Sequence, residues 1–282
     1  APVFAGSGWQ TWDGSEITSG KNGSDHCVYL RGIGNSKITG VDSTVAKWSI
    51  IGTNIACNGC IDLLLDYSSV KSGNRPAMAD YCYSYMFYGC TSLTAAPSLP
   101  ATTLASRCYE SMFSGCKSLT AAPSLPATTL ANHCYFYMFD GCTSLTAAPS
   151  LPATTLASTC YSFMFSGCKS LTAAPSLPAT TLADYCYNSM FQDCTSLTAA
   201  PSLPATTLAS SCYNTMFYGC KKIKVSSVSS GTYTKAYRIP KAGAGTMATR
   251  ALRNMFSNTG GTFKGTPEIN TTYYLDESNT IV

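Results

Sequence analysis

Charged side chains are scarce in this chain of 282 residues. Lys, Arg, Asp and Glu make up 11% of it, against about 25% in an average soluble domain. The surface must therefore be formed largely by Ser, Thr, Asn, Gly and Tyr, which suits an extracellular, cell-surface or virion-surface setting better than a crowded cytosol. The net charge is only +4, and no run of Lys or Arg forms a stripe that could follow phosphates. We therefore expect no nucleic-acid partner.

Groups for acid–base chemistry are few and dispersed. The chain has 14 acidic residues and two histidines, and Glu110, Asp140 and Asp184 occupy variable positions that we expect to face solvent. No G-x-S-x-G, Walker, Rossmann or H-E-x-x-H pattern occurs, and the A-G-A-G segment at 242–245 lacks the lysine of a phosphate loop. We predict that the protein is not an enzyme and uses no cofactor.

Long apolar runs are also missing. Runs such as Leu63 to Leu65 fall far short of the roughly 18 residues of a membrane span, so we expect no membrane insertion. Hydrophobic residues nevertheless make up 45% of the chain, which is enough for a packed core.

A near-perfect repeat of 26 residues dominates the sequence. The unit reads C-Y-x-x-M-F-x-G-C-x-S-L-T-A-A-P-S-L-P-A-T-T-L-A-x-x, and its Met-Phe pair recurs at 86/87, 112/113, 138/139, 164/165, 190/191 and 216/217. One unit cannot enclose a core, so each must be a coil that stacks on its neighbours in a solenoid. The predicted core columns, named for one coil, are Leu93, Leu99, Leu104, Cys108, Met112, Phe113 and Cys116.

The unit also predicts local structure. Residues 92–96 should form a short strand that pairs in parallel with adjacent coils and ends at Pro97 and Pro100, because proline donates no hydrogen bond to a ladder. Residues 102–104 suit a second short strand. Residues 109–114 lack alternation and predict one short helical turn per coil, closed by Gly115.

These motifs resemble the BspA-like leucine-rich repeats. Leu93 and the Leu99-Pro100 pair match the strand and corner of that pattern, the Met112-Phe113 pair matches its Ala-Phe pair, and Cys116 matches its cysteine. The departures are a unit about three residues longer and Cys108 in place of isoleucine. The resemblance extends over about residues 58–222 and implies a right-handed solenoid that recognises or adheres to surfaces without catalysis. Related arrays look like proteins of gut Bacteroidetes and their phages.

Atypical segments flank the array. We predict a β-rich N-terminal cap at 1–57, a solenoid at 58–222 whose degenerate first coil is 58–81, and a C-terminal cap at 223–282 with a degenerate last coil. The first coil rests on matching Cys60 to Cys90 at an offset of 30, and the last on matching Met255-Phe256 to Met216-Phe217. Predicted strands lie at 27–31, 36–38, 46–51, 233–239 and 271–275, and a short helix lies at 246–257.

Fifteen cysteines leave three interpretations open. The twelve repeat cysteines could be small buried hydrophobes in two core columns. They could instead form one disulfide per coil, such as Cys108 to Cys116. A metal site could also combine the C-x2-C pair Cys57 and Cys60 with His26 and Cys27, although no second C-x2-C pair or His pair is present.

The variable columns are where a ligand would be specified. Two pairs of adjacent columns carry aromatic and polar side chains that predict a weakly charged binding stripe for a sugar or protein, formed by Tyr81, Tyr85, Arg107, His133, Phe136, Tyr137, Phe163 and Tyr185. The alternative is that these side chains only shield neighbouring coils. We therefore expect a non-catalytic adhesion module for a host or microbial protein or glycan. A fibre, filament or virion-surface spacer that self-associates through its ends is the alternative.

A further column alternates between Thr and Lys, at positions 91, 117, 143, 169, 195 and 221. Parallel coils lie about 4.8 Å apart, so lysines in adjacent coils would repel each other. The alternation is compatible with this repulsion, and equally with duplication of a 52-residue unit.

Overall fold

A computed structural model describes residues 2–4, 9–11, 20–22, 25–41, 44–45, 47–242 and 248–282. From Cys82 to Cys220 the backbone repeats the same path every 26 residues, and each repeat bonds to the next one along the chain. Coils stacked in this way form the solenoid-like arrangement that the repeat predicts.

The N-terminal segment consists of short strands. They are β1 (Pro2–Phe4), β2 (Trp9–Thr11), β3 (Gly20–Asn22), β4 (Asp25–Cys27), β5 (Gly40–Val41), β6 (Thr44–Val45) and β7 (Ile55–Ala56). The first six pair as three antiparallel hairpins. The predicted strand at 27–31 is reduced to the end of β4 and one bridge at Leu30, and neither 36–38 nor 47–51 is a strand; Ala46 lies outside the described residues.

The register between this segment and the array differs from the predicted one. Ile55 of β7 faces Leu93, Cys60 faces Ser98, and the Trp48 amide donates to the Met86 carbonyl. The match of Cys60 to Cys90 is therefore wrong. A 3-10 helix at Ile61–Leu64 and α1 (Tyr67–Lys71), which Asp66 caps through the Ser69 amide, lengthen the connection before the first full coil. The domain boundaries themselves stay a prediction.

The segment around each Met-Phe pair is a run of overlapping turns. Amides at alternate positions bond within the coil, as Met112 does to the Tyr109 carbonyl, and those between them bond to the next coil, as Phe113 does to the Met138 carbonyl. Every fourth residue has a positive φ, and Gly115 has 75°. The predicted helical turn is wrong, because left-handed residues at this spacing interrupt a helix. Residues 82–220 contain no helix.

The two predicted strand segments do pair in parallel between coils. Near the array ends they form β8 (Leu93–Ala95), β9 (Ala199–Ala200) and β10 (Thr207–Leu208). Between these ends most are single bridges, such as Ala121 to Ala147 and Thr155 to Thr181. The prolines that flank both segments shorten the ladders, since they lack an amide hydrogen.

The core confirms the predicted columns and adds a column of tyrosines. Leu, Met, Phe and Cys side chains of the columns are buried along the array, although Leu130 and Leu182 are only partly buried. The tyrosines of the C-Y pairs, at 83, 109, 135, 161, 187 and 213, are also fully buried. The tyrosine rings stack on one another with centroids 5.6–5.8 Å apart. The phenylalanine rings of the Met-Phe pairs form a second stack with centroids 5.5–5.9 Å apart.

The C-terminal segment closes the array. It contains β11 (Lys224–Ser226), β12 (Tyr233–Arg238), β13 (Lys241–Ala242), α2 (Ala248–Ala251), β14 (Gly260–Gly261), β15 (Thr272–Asp276) and β16 (Thr280–Ile281). Strands β12, β15, β11 and β14 form one sheet, while β13 pairs with β10 and β16 with β9. The strand predictions at 233–239 and 271–275 are confirmed.

Met255 and Phe256 continue the Met-Phe columns of the array. The Phe256 ring stacks on Phe217 with centroids 5.8 Å apart, and the Phe217 amide donates to the Met255 carbonyl. The predicted helix at 246–257 is shorter than expected, since only Ala248–Ala251 is helical; residues 243–247, with most of the A-G-A-G segment, lie outside the described residues.

Candidate ligand-binding surface

The variable positions form two pairs of columns, 80/81 and 84/85 with their equivalents, and the second column of each pair has a left-handed backbone. Every residue at 81, 107, 133, 159, 185 and 211, and every residue at 85, 111, 137, 163, 189 and 215, has a positive φ. Such φ values are uncommon for residues other than glycine. Here they are held by hydrogen bonds from one coil to the next, as in the bond from the Tyr137 amide to the Ser162 carbonyl. The backbone therefore keeps its path whatever side chain occupies these columns.

Four of the predicted binding residues form one aromatic cluster. His133 meets Phe136 edge-on at 5.5 Å, Phe136 meets Tyr137 at 4.4 Å, and Tyr137 stacks on Phe163 at 4.5 Å. All four side chains are half-buried. We call His133, Phe136, Tyr137 and Phe163 the aromatic cluster; each ring supports its neighbours and leaves part of its surface to solvent.

Three other predicted residues form a polar network beside the first coils. The Tyr85 hydroxyl donates to Glu110 Oε1 at 3.2 Å, and the Arg107 guanidinium contacts Glu110 Oε2 at 3.0 Å. Arg107 also lies over the Tyr81 ring at 5.7 Å. Glu110 was expected to face solvent, but it is only 4% exposed. That expectation is wrong because the Glu110 column lies inside the run of turns, where the carboxylate accepts from the cationic Arg107 guanidinium and from the neutral Tyr85 hydroxyl.

Tyr185 lies apart from both groups and is 43% exposed. The sequence interpretation missed Tyr88, which is 42% exposed, contacts Tyr85 at 5.7 Å and lies under the Lys47 ammonium group. Tyr88 follows a Met-Phe pair in another variable column with Ser114, Asp140, Ser166, Gln192 and Tyr218, and variation in that column was the signal available.

Burial shifts the ionisation of this surface. It lowers the pKa of His133, and the nearby Arg107 charge lowers it further while Glu110 opposes this. The imidazole is therefore neutral at pH 7 and able to stack as an aromatic ring. Burial also raises the pKa of Tyr137, Tyr85 and Asp140.

The repeat cysteines are buried free thiols, which favours the first of the three interpretations. Neither Cys108 nor Cys116 is in a disulfide. Cys116 Sγ donates to the Phe87 carbonyl at 3.1 Å, and the bond recurs at Cys142, Cys168, Cys194 and Cys220. Burial raises the pKa of Cys116 and of Cys134 to about 12, so the groups stay protonated.

Within the described residues, no group of three or more His, Cys, Asp or Glu could hold a metal ion. The side chains of His26 and Cys27 lie outside the described residues. Burial raises the pKa of Cys57 to about 11, which opposes the thiolate form that metals bind.

Comparison with known proteins identifies the repeat. The BspA type leucine-rich repeat region, in six copies, matches residues 64–198 and 134–237, which together cover more than half of the chain. No curated protein and no solved structure shows a significant match. Within the described residues, no helix has the length and apolar character needed to span a membrane. The chain belongs to the BspA-type leucine-rich repeat family.

Proposed function

We propose that this protein is a non-catalytic recognition module that binds a protein or glycan through the aromatic cluster. Repeat regions of this family are typical of surface and protein-interaction modules. The proposed setting is extracellular, at a cell or virion surface, with right-handed coils as the resemblance implies. A host or microbial surface molecule is the proposed partner.

The observation that carries the proposal is the stacking of half-exposed rings on a fixed backbone. Tyr137 and Phe163 stack at 4.5 Å at successive positions of one left-handed column, where the other coils carry Tyr, Ser and Thr. Rings held by their neighbours lose little conformational entropy on binding, and aromatic residues are enriched in binding hot spots. The low charge of the surrounding surface is consistent with a neutral or weakly charged partner.

The test is a screen against glycans and host surface proteins, followed by affinity measurement on each hit. The double variant Tyr137→Ser/Phe163→Ser removes the stack without forcing a new backbone conformation, because Ser111 and Ser189 already occupy the same column. We expect affinity to fall at least about tenfold, since each hot-spot aromatic contributes about 2 kcal/mol or more.

The matched control is Tyr185→Ser, because Ser211 occupies its column and Tyr185 lies outside the cluster. Affinity should stay within about twofold of the wild type for this variant. Unchanged binding by the double variant, with an unfolding curve like that of the wild type, would remove the aromatic cluster as the site.

The structural alternative predicts association through the ends of the array. Light scattering with size-exclusion chromatography over a range of concentrations separates the two functions. A monomer that does not change with concentration contradicts the fibre or filament role, whereas growth with concentration favours it.

A further inference from the structure

Positive charge is concentrated at one end of the chain. Residues 221–282 contain nine Lys and Arg against three Asp and Glu, a net charge of +6. Residues 1–220 contain nine against eleven, a net charge of −2, and the two parts together give +4. The C-terminal segment is therefore a cationic end on a slightly acidic array.

A small cavity opens where the repeat stops. The L-P-A-T corner of each earlier coil keeps its leucine buried, from Leu99 to Leu177, whereas Leu203 is half-buried and Pro204 is exposed. No further coil of the same kind covers this last corner. The result is a cavity of about 210 Å³ whose lining residues are Leu203, Pro204, Ala205, Thr206, Arg238, Pro240 and Lys241.

Two exposed cations lie beside this cavity, and one of them takes the place of a repeat residue. Lys241 pairs with Thr207 in the parallel ladder, at the position where a threonine pairs with a threonine between earlier coils. Arg238 ends β12 and donates to Asn270 Oδ1 at 3.2 Å. The amide orients the guanidinium without neutralising it.

Three other cations of the same segment have partners of their own. Lys224 lies 3.6 Å from Asp276, Lys235 donates to two backbone carbonyls, and Lys221 donates to Asn258. Among the lining residues of the cavity, all of them in the described part of the chain, none is acidic. Arg238 and Lys241 thus form an uncompensated cationic pair next to an apolar floor.

We propose that this cavity binds an acidic sugar unit that carries a carboxylate or sulfate group. The guanidinium and ammonium groups match the anionic group, which accepts charge-assisted hydrogen bonds from them. Leu203 and Pro204 offer an apolar surface to the C–H face of a sugar ring. The cavity is smaller than the roughly 300–1,000 Å³ typical of sites for drug-sized ligands, which suits one unit of a polymer or a terminal unit. This site is separate from the aromatic cluster and does not depend on it.

The chemistry of the cavity favours an acidic sugar over other polyanions. Nucleic acids and anionic membranes are bound by extended runs of basic groups and show a steep dependence on salt. Here Arg238 and Lys241 lie together at one cavity with an apolar floor. A single anionic ring is therefore the better match.

The test measures binding to oligogalacturonate and to a sulfated chondroitin oligosaccharide by calorimetry at about 0.15 M salt, where long-range charge effects are screened. Neutral dextran, phosphatidylglycerol vesicles and duplex DNA are the comparison probes. We expect at least one acidic oligosaccharide to bind, and Arg238→Gln/Lys241→Gln to weaken it at least tenfold. Thr206→Tyr should also block binding, because it fills the cavity and leaves the charge unchanged.

Lys222→Gln/Lys264→Gln is the matched control, since it removes two exposed cations of the same segment away from the cavity. It should change affinity less than twofold, and thermal unfolding should confirm that every variant is folded. Equal losses for the two double variants, no binding to either acidic oligosaccharide, or tighter binding to vesicles or DNA would each overturn the proposal. Because Tyr137→Ser/Phe163→Ser should leave this binding intact, failure here and failure of the aromatic cluster are distinguishable.

Discussion

At the scale of single residues, the left-handed columns place an unusual demand on side chains. Thr159 and Thr215 are β-branched, yet both have a positive φ, at 60° and 51°. A left-handed conformation costs an ordinary residue about 1–2 kcal/mol. The hydrogen bonds between coils outweigh this cost at each position, so the array retains strain that single substitutions can release.

Thr159→Asn should therefore stabilise the protein. Asparagine tolerates the left-handed region better than a β-branched residue, so we expect the free energy of unfolding to rise by about 0.5–1 kcal/mol in urea titrations. Thr154→Asn is the control, because it makes the same change in the preceding coil at a residue without a positive φ. An equal gain at both positions would show that backbone strain is not the cause.

The buried thiols predict a loss of stability in alkali. The pKa of Cys116 and of Cys134 is about 12 in the folded protein and close to its ordinary value of about 9 in the unfolded chain. Between these values the folded state binds more protons, so stability is complete below about pH 9 and falls as pH rises. Each such thiol contributes about 1.4 kcal/mol per pH unit in that window.

Unfolding in urea at pH 7, 9 and 10 under reducing conditions measures this effect. Thiolate absorbance recorded with circular dichroism should rise only as the chain unfolds. Thiolate formation near pH 9 in a chain that keeps its folded spectrum would contradict the burial of these columns.

At the scale of elements, the run of turns explains why a carboxylate is buried in the array. Glu110 lies in the column of residues whose amides bond within the coil, and Arg107, three residues earlier, reaches it from the same turn. Tyr85 of the preceding coil supplies the second donor. The carboxylate thus links two coils and depends on both partners.

Arg107→Ala should destabilise the protein by about 1–3 kcal/mol, because it leaves Glu110 buried beside a single neutral donor. The double variant Arg107→Ala/Glu110→Gln should recover most of that loss, since the amide needs no counter-charge. Denaturant unfolding of the single and double variants, with Glu110→Gln alone as the reference, measures the coupling. Additive losses would show that the ion pair contributes no stability.

The sequence was sufficient for the repeat period, the core columns and the C-terminal stack of Phe256 on Phe217, because these depend on apolar side chains that recur at fixed spacing. It was not sufficient for the run of turns. Residues such as Tyr137 are left-handed although they are not glycine, so the sequence does not mark them. The hydrogen bonds that hold them in this conformation come from another coil. The burial of Glu110 and the tyrosine ladder were missed for a related reason, since both depend in part on contacts with an adjacent coil: the Tyr85 hydroxyl for Glu110, and the neighbouring tyrosine ring for each member of the ladder.

At the scale of the whole molecule, the array is closed by two dissimilar ends. The N-terminal end meets the first full coil through Trp48, whose ring contacts Phe87 edge-on at 5.8 Å. The C-terminal end returns β16 onto β9 and leaves one corner open beside Arg238 and Lys241. The aromatic cluster lies on coils between these ends, so the two proposed sites are carried by different parts of the molecule.

The hydrogen bonds of one surface column recur in every second coil. The amides of Ser106, Ser158 and Ser210 each donate to the side chain of an Asp or Asn in the preceding coil. The hydroxyls of Ser106 and Ser158 donate to a backbone carbonyl of the next coil. The Lys and Thr column alternates with the same two-coil period. The unit of growth for this protein is then 52 residues rather than 26.

Length variants would reveal this parity. Deleting residues 132–157 makes Lys117 and Lys169 neighbours and removes the Asn132 acceptor from the Ser158 amide, whereas deleting 132–183 preserves both alternations. We expect the protein that lacks residues 132–183 to have the higher stability per remaining coil in thermal unfolding, although it is the shorter of the two. If instead stability follows coil number alone, the pairing carries no energy. Natural relatives that differ in length would, on this reasoning, gain and lose coils two at a time.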